Sequence, residues 1–95
     1  MFQPKNLSVV GYANGFTIWP YISDDDPKTV LAGTYFNKAY DSLREGDMIY
    51  VFFSGRTLSR TGVVCVDAIT KRDGYTDVVV SLPNAFEMAL GKERV

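Results

Sequence analysis

Along this chain, large apolar residues fall in short runs separated by polar, glycine-containing breaks, and one stretch departs from that rhythm. In residues 34–53 the apolar positions Phe36, Ala39, Tyr40 and Leu43 recur at helical spacing, and after Gly46-Asp47 an almost unbroken apolar run, Met48-Ile49-Tyr50-Val51-Phe52-Phe53, follows. Recurrence at three and four residues marks one face of a helix, whereas a short apolar run behind a turn signal marks a strand. The segment predicts a short helix from about residue 34 to 44, capped by Thr34 and stopped by Gly46, that feeds one strand. That strand carries too many large side chains to leave a face in water unless a partner covers it.

Elsewhere the pattern is that of strands. Leu7-Ser8-Val9-Val10-Gly11-Tyr12 and Phe16-Thr17-Ile18-Trp19-Pro20-Tyr21 flank Ala13-Asn14-Gly15, and Asn-Gly is among the strongest hairpin signals. Pro20 has no N–H to give a ladder, so the second strand is expected to end near it or to lie on an edge there. A second hairpin is expected from the β-branched runs at 62–70 and 75–82, joined by Lys71-Arg72-Asp73-Gly74. Ser23-Asp24-Asp25-Asp26-Pro27 reads as a loop, Thr29-Val30-Leu31-Ala32 as a short extended piece, and residues 55–60 as a polar connection. Beyond Pro83, the residues Phe86, Ala89 and Leu90 form a helix-like patch.

Residues 1–6 combine a proline with polar side chains and read as an arm that pairs with nothing in its own domain, either disordered or a docking strand. Residues 7–95 form a single β-rich domain. The fold class is mainly β (α+β): a compact antiparallel β-sandwich or small barrel of about five to six strands, with one short helix across an open side.

Composition narrows the function. A 95-residue chain is one domain, and at this size only about 60–65% of the unfolded surface is buried, so a staple is expected. A disulfide within the chain is excluded because Cys65 is the sole cysteine, and with no histidine the common zinc sets and every histidine-based triad are excluded too. Oligomerisation is left. Cys65, within Val63-Val64-Cys65-Val66, reads as a small buried hydrophobe. Ten basic and eleven acidic side chains leave a net charge of −1, which gives no electrostatic reason to expect nucleic acid or an anionic membrane as partner. No apolar segment reaches the roughly 20 residues of a membrane helix and no signal-peptide pattern opens the chain, so a soluble protein made in the cytoplasm is expected.

Residues that could carry chemistry read mostly as structure. Asp24-Asp25-Asp26 lacks the alternating ligand spacing, glycine turn and distal glutamate of a calcium loop. Arg56, Arg60, Lys71 and Arg72 are two pairs of surface cations in polar connections, and the glycines sit at turns without forming a phosphate-binding cluster. No nucleophile has a base in local sequence, and a shell this small could hardly build a cleft around a carboxylate pair. No catalytic residue, cofactor or metal is expected, and the protein is not expected to be an enzyme. The many aromatics fit a core and a subunit interface better than a base-stacking surface, because the charges near Trp19 and Tyr21 are acidic.

The pattern Asn6-Leu7-Ser8-Val9-Val10-Gly11-Tyr12-Ala13-Asn14-Gly15-Phe16-Thr17-Ile18-Trp19, with Gly33-Thr34-Tyr35-Phe36-Asn37 and Leu43-Arg44-Glu45-Gly46-Asp47-Met48-Ile49 after it, resembles small virion proteins of tailed bacteriophages, some of which look like head decoration (cement) proteins. The resemblance covers residues 6–53. It implies a structural protein, commonly a homotrimer, that is made in the host cytoplasm and sits on the capsid surface over junctions of the major capsid protein. A trimer held at three points would gain avidity from individually weak contacts. On that basis the arm, through Phe2 with Leu7 and Val9, is expected to dock on a neighbour, and Tyr12, Trp19, Tyr21 and Tyr50 are the candidate interface anchors. The alternatives are a tail or fibre component, or a small-barrel binding module for nucleic acid or peptide.

Overall fold

The structure, a computed structural model, describes residues 1–9, 11–13 and 15–83, without the side chains of Tyr12 and Ala13. Five strands lie in one sheet in chain order: β1 (Gly11–Ala13), β2 (Phe16–Ser23), β3 (Met48–Phe53), β4 (Thr61–Arg72) and β5 (Tyr75–Ser81). Since β1 is a three-residue stub at the edge, the sheet is four-stranded in substance, fewer than the five to six strands expected, and it does not close into a barrel. Nor is it wholly antiparallel: β2 and β3 run parallel, while the other neighbours are antiparallel. Parallel neighbours need a long crossover rather than a hairpin, and residues 24–47 supply it.

The hairpins form where the turn chemistry places them. Gly15 and Gly74 take φ of +91° and +85°, the left-handed region that glycine enters at little cost. Asn14 and the helix-like patch at Phe86, Ala89 and Leu90 lie outside the described residues. Pro20 does not end β2. Its carbonyl accepts from the Ser8 N–H at 2.9 Å, so its donor-less nitrogen faces the outer edge and the ladder to β3 continues undisturbed.

The crossover departs from the predicted helix. Over 34–44 the chain forms only a 3-10 turn at Asn37–Ala39, with successive i to i+3 bonds. A helix of that length carries a costly nucleus, and Thr34, Tyr35, Phe36, Asn37 and Tyr40 contribute little intrinsic preference to offset it. Tertiary bonds decide instead: the Asn37 side chain accepts from the Val78 N–H (2.8 Å) and donates to Asp77 (3.0 Å). Phe36, Ala39 and Leu43 of the expected stripe are buried, whereas Tyr40 points to solvent. The one α-helical turn among the described residues, α1 (Pro27–Val30), occupies part of the segment read as loop and extended chain. Its signal was Asp26-Pro27: Asp26 caps the Thr29 N–H at 2.9 Å and proline takes the first helical position.

One face of the sheet carries the core. Tyr21, Ile49, Val51, Phe53, Val64, Val66 and Val78 project to the same side, where Val30, Phe36, Ala39 and Leu43 of the crossover cover them. A bulge between Val66 and Ala68 leaves Asp67 as the extra residue, so Val64 and Val66 before it and Ile69 after it all meet this side. A run with unbroken period two would have turned Ile69 outward.

Residues 1–6 are fastened to this core through Phe2 rather than forming a free arm. Phe2 is 4% exposed and stacks on Tyr21 with ring centroids 5.2 Å apart, while Tyr35 and Phe36 meet it edge-on. Burying an aromatic ring contributes more than any alternative open to the first residues in water. The main chain follows, since the Gln3 N–H donates to the Tyr21 hydroxyl at 2.9 Å and Leu7 bridges to Tyr21.

Candidate interaction surface

The strongest polar constellation is structural. Arg44, Glu45, Gly46 and Asp47 form a β-turn in which the Asp47 N–H donates to the Arg44 carbonyl at 3.1 Å, with Gly46 at φ +92° in the third position. That turn buries the Asp47 side chain, which accepts from the Thr17 N–H (2.9 Å), the Trp19 Nε1–H (2.9 Å) and the Arg44 N–H (3.0 Å). Three donors on one carboxyl fasten β2, the turn and β3 together, with no oxygen left over to meet a substrate.

A second network joins the aromatic core to the acidic loop. The Tyr35 hydroxyl donates to Asp25 (2.7 Å), so the hydrogen between Tyr21 and Tyr35 (2.9 Å) comes from Tyr21. Burial, then the bonds to Tyr21 and Asp25, push the Tyr35 phenol far above its ordinary value, so it stays protonated and serves as neither base nor nucleophile. The Met1 ammonium and then Tyr35 hold the Asp25 carboxyl below its usual range. Asp26 is likewise lowered by the Thr29 N–H. Two of the three loop carboxyls are thus engaged in holding the chain, and among the described residues no group of three metal-ligating side chains comes together. Burial, then Asp67, raises the Cys65 thiol, which keeps it protonated and slow to react.

The seven residues proposed as interface anchors do not share one surface. Phe2 and Tyr21 are buried inside the protomer, and Trp19, half-buried, packs against the core with its Nε1 on Asp47. None of the three is free to anchor a neighbour, because the sheet parity places Trp19 and Tyr21 inward, Phe2 stacks on Tyr21 and Asp47 holds the Trp19 indole. Leu7 is half-buried beside Tyr21; Val9 and Tyr50 are exposed; the side chain of Tyr12 lies outside the described residues.

What the structure assembles instead is the back of the sheet. The register sets Ile18 beside Met48 and Cys65, Pro20 beside Tyr50 and Val63, and Ile22 beside Phe52. These side chains alternate with the core positions and so share the opposite face. Tyr50 is 48% and Ile22 54% exposed, Ile18 and Val79 are exposed as well, and the Arg60 guanidinium lies 5.7 Å from the Phe52 ring centre at the rim. Ile18, Ile22 and Val79 were not singled out in the sequence, whereas Phe52 belongs to the 48–53 run expected to need a partner: β3 is apolar at every position, so neither of its faces can be polar.

No family model, curated protein or solved structure matches the chain. Among the described residues no helix is long and apolar enough to cross a membrane.

Proposed function

We propose that this protein is a structural assembly module that works through the back of its sheet, as a virion protein of the head-decoration kind it resembles. The observation that carries the proposal is the apolar surface of Ile18, Ile22, Tyr50 and Phe52 on the neighbouring strands β2 and β3, on a sheet whose other face is already filled. A sheet exposed on one side ordinarily alternates apolar with polar residues; this one does not. A contiguous apolar face rimmed by charge is the mark of a protein contact.

The second layer missing from the sandwich is then supplied by neighbours: other copies of this chain in a homotrimer, and the major capsid protein beneath it. Cement action follows from adding buried area across subunit seams at several points at once, which strengthens weak contacts by avidity. Stacked sheets lie about 10 Å apart, so side chains of the size of Tyr50 and Ile22 are what such a layer requires.

The test is location. An epitope-tagged copy expressed during phage growth, followed by immunogold labelling of purified particles, is expected to decorate heads. Labelling confined to tails reassigns the protein to a tail or fibre role, and its absence from particles refutes the virion reading.

A further inference from the structure

An open groove of about 870 Å³ lies where the tip of the β4–β5 hairpin meets the Asn37–Ala39 turn and Pro4. Lys38, Lys71 and Arg72 line it together with Tyr40 and Tyr75, and no carboxylate does so among the described residues. All five of those side chains are exposed. The framework beneath them is fixed: Asn37 is bonded to both Asp77 and the Val78 N–H, and Arg72 donates to Asp77. That leaves Arg72 neutralised, while Lys38 and Lys71 have no ion pair among the described residues.

We propose that this groove binds an acidic peptide segment of a partner protein, with carboxylates on Lys38 and Lys71 and an apolar side chain against the rings of Tyr40 and Tyr75. Groove size is within the range of ligand sites, roughly 300–1,000 Å³, and tyrosine supplies contact area at low entropic cost. Charge count separates a peptide from a nucleic acid. A phosphate backbone presents one charge per nucleotide and asks for a continuous cationic track. Here two unspent ammoniums are followed closely in sequence by the exposed carboxyls Asp41 and Asp73, which would repel the flanking phosphates. One or two discrete carboxylates fit; a polyanion does not. The groove shares none of Ile18, Ile22, Tyr50 or Phe52 with the back of the sheet, so it stands whether or not that face docks as proposed.

Fluorescence anisotropy tests it with the intact chain in low-salt buffer, titrated against a fluorescein-labelled Gly-Glu-Phe-Glu-Gly peptide amidated at its C-terminus and, separately, a labelled oligothymidylate. Saturable peptide binding is expected, weakened by up to about thirtyfold by Lys38→Glu with Lys71→Glu, as two exposed charge contacts of up to about 1 kcal/mol each imply. Tyr75→Ala should weaken it a few-fold, and Lys28→Glu on α1 should leave it unchanged. The milder pair Lys38→Gln with Lys71→Gln, checked for native circular dichroism, covers the case in which charge reversal disturbs folding. Absence of saturable peptide binding, equal affinity in the folded double variants, or tighter binding of the oligothymidylate would overturn the proposal.

Discussion

Replacing Asp47 should unfasten the domain more than any other single polar substitution. In Asp47→Ala the Thr17 N–H, the Trp19 indole and the Arg44 N–H all lose their acceptor, in a site 1% exposed where water cannot take over. A hydrogen bond to a carboxyl contributes roughly 1.5–3 kcal/mol, and the three share one group, so about 3–5 kcal/mol is lost. Against a total of about 5–14 kcal/mol for a domain of this size that is a large fraction. With a urea slope of about 1.5 kcal/mol/M, the midpoint falls by about 2–3 M. Asp47→Asn should cost about half as much, because its amide oxygen can still accept from Trp19 and Arg44 while its NH₂ opposes only the Thr17 N–H. Trp19 is the only tryptophan, so urea unfolding followed by its fluorescence reads the same site that is perturbed. Asp41→Ala, on an exposed side chain a few residues away, serves as control and should stay within about 0.5 kcal/mol of wild type. If Asp47→Ala also stays within that margin, the fastening role is wrong.

Other consequences are as direct. Phe2→Ala empties the ring stacked on Tyr21 and should cost about 3 kcal/mol in thermal or urea unfolding; a free arm would predict no change. The Asn37 amide, then Arg72, lower Asp77 from its ordinary 3.8, and the Thr29 N–H lowers Asp26. A carboxyl lowered in the folded state stabilises above its unfolded value and loses that contribution as pH falls through the folded one, so the melting temperature should hold from neutrality to about pH 5 and drop below about pH 4, less steeply in Asp26→Asn with Asp77→Asn. Ser59 is the one non-glycine residue of the described chain with positive φ, +52°, and Ser59→Gly should raise stability by up to about 1 kcal/mol in the same unfolding assay. Cys65, with its thiol raised, should react with a disulfide reagent in the folded protein far more slowly than in urea, a difference that absorbance at neutral pH would show.

The local chemistry of the fold was legible in the sequence and its long-range chemistry was not. Asn14-Gly15, Asp73-Gly74 and Gly46 announce turns because positive φ has a strong residue preference, and the 48–53 run announces a central strand by its composition. The parallel pairing of β2 with β3 has no comparable signal, since its partners lie some 30 residues apart and no turn type encodes it. Helical spacing at Phe36, Ala39 and Leu43 correctly named buried residues but not their backbone, because a 3-10 turn pinned by Asn37 buries the same stripe. The bulge beside Asp67 shifts parity by one residue and leaves no mark in a β-branched run. For the candidate surface, Tyr50 was identified, whereas Trp19 and Tyr21 were assigned by residue type without their parity, which turns them inward. Phe2 was misjudged for a related reason: terminal position suggested freedom, but the cage that receives it is built from residues far along the chain.

If the back of the sheet is a protein contact, light scattering from micromolar to nanomolar concentration will register it. Wild type is expected to form a trimer, and Ile22→Asp with Tyr50→Glu, both exposed and outside the core, is expected to be a folded monomer by circular dichroism. A double variant that assembles as wild type does, or a wild type that stays monomeric throughout, would mean that the back of the sheet joins no neighbouring copy.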